Sequence, residues 1–132
     1  MTPEQHTHQL LFEIRAWKRL LLFFRQENMY FKERLAELVA GDISEQYLAD
    51  AESFHEEFIS LDCTICFLLD DVRQQEKIVA ATGVPEYPQT VLGQQMQIRT
   101  DMLKAEIIFF NLKDAFHNYQ LKELQPLEVC AD

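Results

Sequence analysis

The sequence predicts an all-α fold, a long antiparallel three-helix bundle with coiled-coil-like heptad packing that dimerises through its first and third helices. Three observations carry this expectation. Apolar residues recur at alternating four- and three-residue intervals through three segments of about 35–40 residues each. The 132 residues include only 3 Gly and 4 Pro, too few for a turn-rich β-sandwich or barrel. Apolar side chains remain after each seam is filled, and they form a second stripe.

The first helix is expected over residues 3–40. Thr2-Pro3-Glu4-Gln5 sets a capping hydroxyl before a proline at the first helical position, with Gln5 placed to close a capping box. Its seam reads Leu10, Ile14, Trp17, Leu21, Phe24, Asn28, Phe31, Leu35, Leu38. Gly41 suits the end of this helix, and Asp42 with Glu45 suits the start of the next, over 43–81. A connection this short makes the two helices antiparallel neighbours. The second seam reads Tyr47, Ala51, Phe54, Phe58, Leu61, Ile65, Leu68, Val72, Gln75, Val79.

Gly83, Pro85 and Pro88 mark the second turn. The third helix, over 89–124, carries Val91, Gln95, Ile98, Met102, Ala105, Phe109, Leu112, Phe116 and Tyr119 on its seam, and Pro126 stops it. Residues 1–125 thus read as one domain and 126–132 as a tail. A 3.5-residue period held for about four heptads winds helices into a left-handed supercoil. In this pattern, and in stretches such as Glu27-Asn28 and Leu35-Ala36-Glu37-Leu38, the chain resembles coiled-coil proteins in general.

Net charge is −10, from 12 basic and 22 acidic residues. Residues 42–82 hold ten of the acids against two bases, whereas residues 1–41 are close to neutral. Such a balance repels phosphate backbones and anionic membranes, so neither nucleic acid nor membrane is expected as a partner. No apolar run approaches the ~18 residues of a membrane span. The start of the chain lacks the basic and apolar regions of a secretory signal. Together with an odd count of 3 cysteines, this points to a reducing, cytoplasmic setting. Cys63 and Cys66 form a lone C-x-x-C within a helical pattern, read as two small residues on one helix face.

The second stripe points to self-association. On the third segment Met96, Leu103, Phe110 and His117 recur every seventh residue, outside the seam, with Ile107 beside them. On the first, Phe12, Phe23 and Tyr30 also fall outside it. Fully burying one large apolar side chain contributes ~1.5–3 kcal/mol, so six or more would outweigh the cost of association. The expected interface is therefore Phe12, Phe23, Tyr30, Met96, Leu103, Ile107 and Phe110, in a two-fold homodimer, the commonest closed symmetry. The acidic second helix would face outward. A different protein could also use this surface.

Among the polar residues, Asn28 lies on the seam, where one buried amide sets helix register. Lys18, Arg25 and Lys32 recur every seventh residue and are expected to pair with the acidic second helix, Lys18 with Asp62 for instance. Glu52 and His55, and again Asp114 and His117, have the i, i+3 spacing of carboxylate–imidazole metal ligands. A metal-binding bundle using these four is the alternative reading. No Gly-rich phosphate loop, nucleophile elbow or His-Glu-x-x-His occurs. The function expected is a non-enzymatic self-associating interaction or scaffold module, without a cofactor.

Overall fold

The computed structural model describes residues 2–81 and 87–123. They form three helices and no strand: α1 (Pro3–Leu38), α2 (Glu45–Ala81) and α3 (Gln89–Glu123). At 1.5 Å per residue each is about 52–56 Å long. The residues expected in the second turn as far as Glu86, the Pro126 stop, Leu124, Cys130 and the tail at 126–132 lie outside the described residues.

Local chemistry sets the helix ends. Thr2 Oγ1 accepts from Gln5 N at 3.1 Å, and Gln5 Oε1 accepts from Thr2 N at 2.9 Å, with Pro3 supplying a preset φ at the first turn. At the other end α1 stops at Leu38, with Val39 as its cap, and not at Gly41. No glycine among the described residues adopts positive φ, so Gly41 does not make the left-handed cap expected of it. The cap of α2 is Ser44, whose hydroxyl accepts from Tyr47 N at 3.1 Å, in place of the expected Asp42. Ser44 immediately precedes the first helical residue, so its oxygen reaches the third helical N–H; Asp42 lies two residues too early. Pro88 O accepts from Val91 N and Leu92 N and opens α3.

The chain runs up, down and up. Between α2 and α3, partners move in opposite directions along the chain: Gln75 bonds Gln95, whereas Tyr47 stacks on Tyr119. Between α1 and α3 they move together, from Glu13 with Arg99 to Arg34 with Gln120. Helices α1 and α2 pack most extensively, α2 and α3 next, and α1 and α3 least.

The core sits where the apolar period places it. Every seam position is buried except Leu38, Phe54 and Val91, which are partly buried. One half of the core is aromatic. Phe24 stacks on Phe109 with centroids 4.2 Å apart, Phe58 meets Phe116 edge-on at 5.2 Å, and Tyr47 stacks on Tyr119 at 4.1 Å. Such pairs contribute ~0.5–1.5 kcal/mol beyond their burial. The other half is aliphatic, with Ile14, Val72, Val79, Ile98 and Met102. Tyr87 closes that end. Its hydroxyl donates to Val79 O at 3.2 Å and meets Thr7 Oγ1. No helix of the described residues is long and apolar enough to cross a membrane.

Gly93 offers a test of α3. It lies inside the helix with nothing within 4 Å of the place a Cβ would occupy. Gly93→Ala therefore gains helix propensity without a clash and should stabilise by ~0.5–1 kcal/mol, read as a rise of about 2–4 °C in thermal midpoint. A lower midpoint would show that the helix does not run through this position.

Candidate functional site

The side of the bundle where α1 and α3 meet carries several exposed large apolar side chains. Phe24 and Phe109 turn inward there. Successive residues of a helix are rotated by about 100°, so their neighbours Phe23 and Phe110 turn outward. Phe23 keeps its ring 6.2 Å from Phe109, and Phe110 stands edge-on to Phe24 at 6.0 Å. Tyr30 lies seven residues from Phe23, and Leu103 and Met96 lie seven and fourteen from Phe110, so each extends its ridge along the same helix face. Phe12 and Ile107 flank them. All seven are exposed, from 47% for Phe23 to 73% for Phe12.

Polar contacts pin the inner edge of this surface. Arg99 grips Glu13 through two bonds of 2.7 and 2.8 Å, and Arg34 donates to Gln120 at 3.1 Å. Between them Lys113 and Glu27 approach to 4.0 Å. The apolar ridges rise outside this line. Exposed apolar residues also occur on α2, such as Ile59 and Phe67, away from this surface.

The basic strip of α1 faces α2. Lys18 Nζ lies 2.7 Å from Glu76, which Arg15 also reaches at 3.3 Å, and Lys32 pairs with Asp62. The strip thus meets acidic α2, but the expected partner of Lys18 was Asp62, and the structure corrects it to Glu76. The cause is geometric. Glu76 stands two heptads beyond Asp62 on α2, and a seven-residue period makes positions offset by whole heptads equivalent in the sequence, so the facing helix sides were readable but the level along them was not. Arg25 opens onto a groove with Asp70, Arg73 and Cys66.

Two polar layers interrupt the core. Asn28 is fully buried on α1, and its Nδ2 donates to Phe58 O at 2.9 Å and to Asp62 Oδ1 at 2.6 Å on α2. Its Oδ1 accepts no hydrogen bond among the described residues. The second layer ties all three helices. Gln75 Nε2 on α2 donates to Gln95 Oε1 at 3.0 Å and to Val91 O at 2.9 Å. Gln95 Nε2 on α3 donates to Glu13 at 2.9 Å and to Leu10 O at 3.3 Å on α1. Sequence reasoning placed Gln75 and Gln95 on their seams but did not join them. The available signal was two glutamines on facing seams, one on each side of the second turn.

The four residues of the metal alternative do not converge. His55 and Glu52 line a groove of about 440 Å³ between α1 and α2, floored by Leu35, Ala36, Val39, Leu48 and Ala51. Asp114 and His117 are exposed on α3 and take no part in it. Among the described residues, no three His, Cys, Asp or Glu side chains form a group that could hold a metal ion. The i, i+3 spacing fixes each pair on its own helix, but His55 flanks the α1 side of α2 while α3 packs on the other flank. Cys63 and Cys66 are free and exposed on α2. Comparison with known protein families, with curated proteins and with solved structures finds no match to this chain.

Burial alone would raise the Glu13 pKa, but hydrogen bonds from Arg99 and Gln95 and the Arg99 charge outweigh it and hold it below the ordinary value of 4.5. Hydrogen bonding from Lys18 chiefly lowers Glu76, against a smaller effect of burial and with further help from Arg15. The stabilisation from these two ionised carboxylates is therefore complete above their unfolded-chain pKa values. It is lost as pH falls through the lower folded ones. Chemical denaturation between pH 7 and pH 3 should show stability falling on the acid side, and less steeply in Glu13→Gln. An equal slope in that variant would contradict the coupling.

The two layers should respond oppositely to an apolar replacement. Asn28→Leu removes a buried oxygen without a partner and should raise stability by ~1 kcal/mol, read as a shift in thermal midpoint. Gln95→Leu strips Gln75 of a buried acceptor and should lower it by ~1–3 kcal/mol. Equal losses in both variants would contradict the distinction.

Proposed function

We propose that this chain is a non-enzymatic, self-associating helical module, whose working surface is the apolar face over α1 and α3. The observation that carries this reading is the exposure of seven large apolar side chains, Phe12, Phe23, Tyr30, Met96, Leu103, Ile107 and Phe110, along two adjacent helices. Contiguous apolar surface on this scale marks a contact site. Its length from Phe12 to Tyr30 is about 27 Å and its breadth across two helices about 20 Å. That gives on the order of 500 Å² of apolar centre, which flanking residues extend toward the ~800 Å² per partner of a standard interface.

Within each chain the reading includes coiled-coil packing, with seam side chains of one helix seated between those of the next and Asn28 setting the register of α1 on α2. The burial of seam positions at four- and three-residue intervals supports it. The exposed free thiols Cys63 and Cys66 suit a reducing, cytoplasmic setting.

Sedimentation equilibrium at micromolar concentration is expected to give twice the chain mass. Phe110→Asp places a charge at the centre of the face and should shift the protein to monomer, while Phe67→Asp on α2 should leave the dimer intact. A monomeric parent protein would refute the reading, and so would a dimer indifferent to Phe110→Asp.

A further inference from the structure

We propose that the groove between α1 and α2, near the turn that joins them, binds a small amphiphilic cation: an alkyl chain with an ammonium head. The site lies on the α1/α2 flank and does not depend on self-association through α1 and α3. Its hollow has a local cause. Ala36 of α1 and Ala51 of α2 both line it, and neither side chain extends past Cβ, so the flank stays open where larger residues would meet. Leu35 and Ala51 are buried beneath it, Val39 is half-buried and Leu48 is 43% exposed, so apolar atoms face the opening. The void is about 440 Å³, within the size range of small-molecule sites. From Lys32 to Val39 it runs about 10 Å along α1, the length of an eight-carbon chain.

Charge chooses the head group. Lys32 stands at one end of the groove, but Asp62 takes its ammonium. Glu52 and Glu56 line the same opening one helical turn apart. Both are exposed, and neither forms an ion pair among the described residues. Between Arg34 and Arg73 the chain has ten carboxylates and no lysine or arginine. Of those ten, only Glu37 and Asp62 pair with a cation among the described residues. The potential over the groove is therefore negative, which draws a cation in and keeps an anion out. A cationic head between Glu52 and Glu56 leaves its chain to lie over Ala36 and Ala51 toward Val39 and Leu48. A metal ion would leave that apolar wall unused, and the described residues bring no three ligating side chains together to hold one.

Titration of the full chain with n-octylammonium, n-octanol and n-octanoate, followed by nuclear magnetic resonance, tests the site. The expected result is saturable shifts confined to the surroundings of Ala36, Val39, Leu48 and Glu52. Octylammonium should bind about tenfold more tightly than octanol, and octanoate should not bind. Butylammonium, four methylenes shorter, should bind at least about tenfold more weakly than octylammonium. Ala36→Phe fills the hollow from an exposed position and should abolish binding, and Leu48→Gln, which removes part of the apolar wall, should weaken it severalfold. Glu52→Lys should weaken it about tenfold, while Asp114→Lys, the same change of charge on α3, should alter it by less than about twofold. Equal binding of octylammonium and octanol would overturn the proposal, as would a Glu52→Lys variant no weaker than Asp114→Lys. Shifts spread along α3, full binding by Ala36→Phe and Leu48→Gln, or no saturable shift at millimolar octylammonium would overturn it as well.

Discussion

The stack of Phe24 on Phe109, 4.2 Å between centroids, is the contact on which the exterior of this bundle depends. Helices α1 and α3 touch each other least of the three pairs, and this aromatic contact joins them near mid-length. Once those two rings face inward, helical rotation leaves Phe23 and Phe110 no direction but outward. The apolar face is thus a geometric consequence of the core.

Electrostatics divides the labour among the helices. Acidic α2 takes the cations of α1 through Glu76 and Asp62, so the α1/α2 flank is latched by charge. The α1/α3 flank has the Glu13–Arg99 fork at one end and Arg34 with Gln120 at the other. Between them Lys113 approaches Glu27, and Phe23, Tyr30 and Phe110 stand exposed outside that line. The buried glutamine layer adds a constraint that apolar packing lacks. A slip of any helix by one turn would strand Gln75, Gln95 or Glu13 without its partners, at a cost of ~1–3 kcal/mol per buried group.

Much of this fold is legible in the sequence, and for a physical reason. A strict four-three apolar period has one helical solution, so the seams from Leu10 to Tyr119 could be read directly. Thr2 was legible as a cap because Pro3 and Gln5 surround it with supporting signals. Ser44 was not, since Asp42 and Glu45 offered an equally good capping pattern two residues earlier. Register between helices was less legible than the helices themselves. Lys18 was expected opposite Asp62 and reaches Glu76, two heptads further along α2, because a seven-residue period leaves such levels equivalent in the sequence. Of the candidate surface, residue choice followed from seven-residue spacing. Whether those positions were covered or open depended on how closely α1 and α3 approach, which no linear pattern encodes.

Self-association through the α1/α3 face therefore depends on whether water reaches that face in solution. Hydroxyl-radical footprinting of the full chain at micromolar concentration measures that residue by residue. In a single chain Met96, Tyr30 and Phe67 are all exposed, so all three begin as comparable targets. If the face pairs, Met96, Tyr30 and Phe110 oxidise slowly relative to Phe67, and the protection vanishes on dilution. Oxidation of Met96 and Tyr30 at the rates of open side chains, unchanged by concentration, would contradict it.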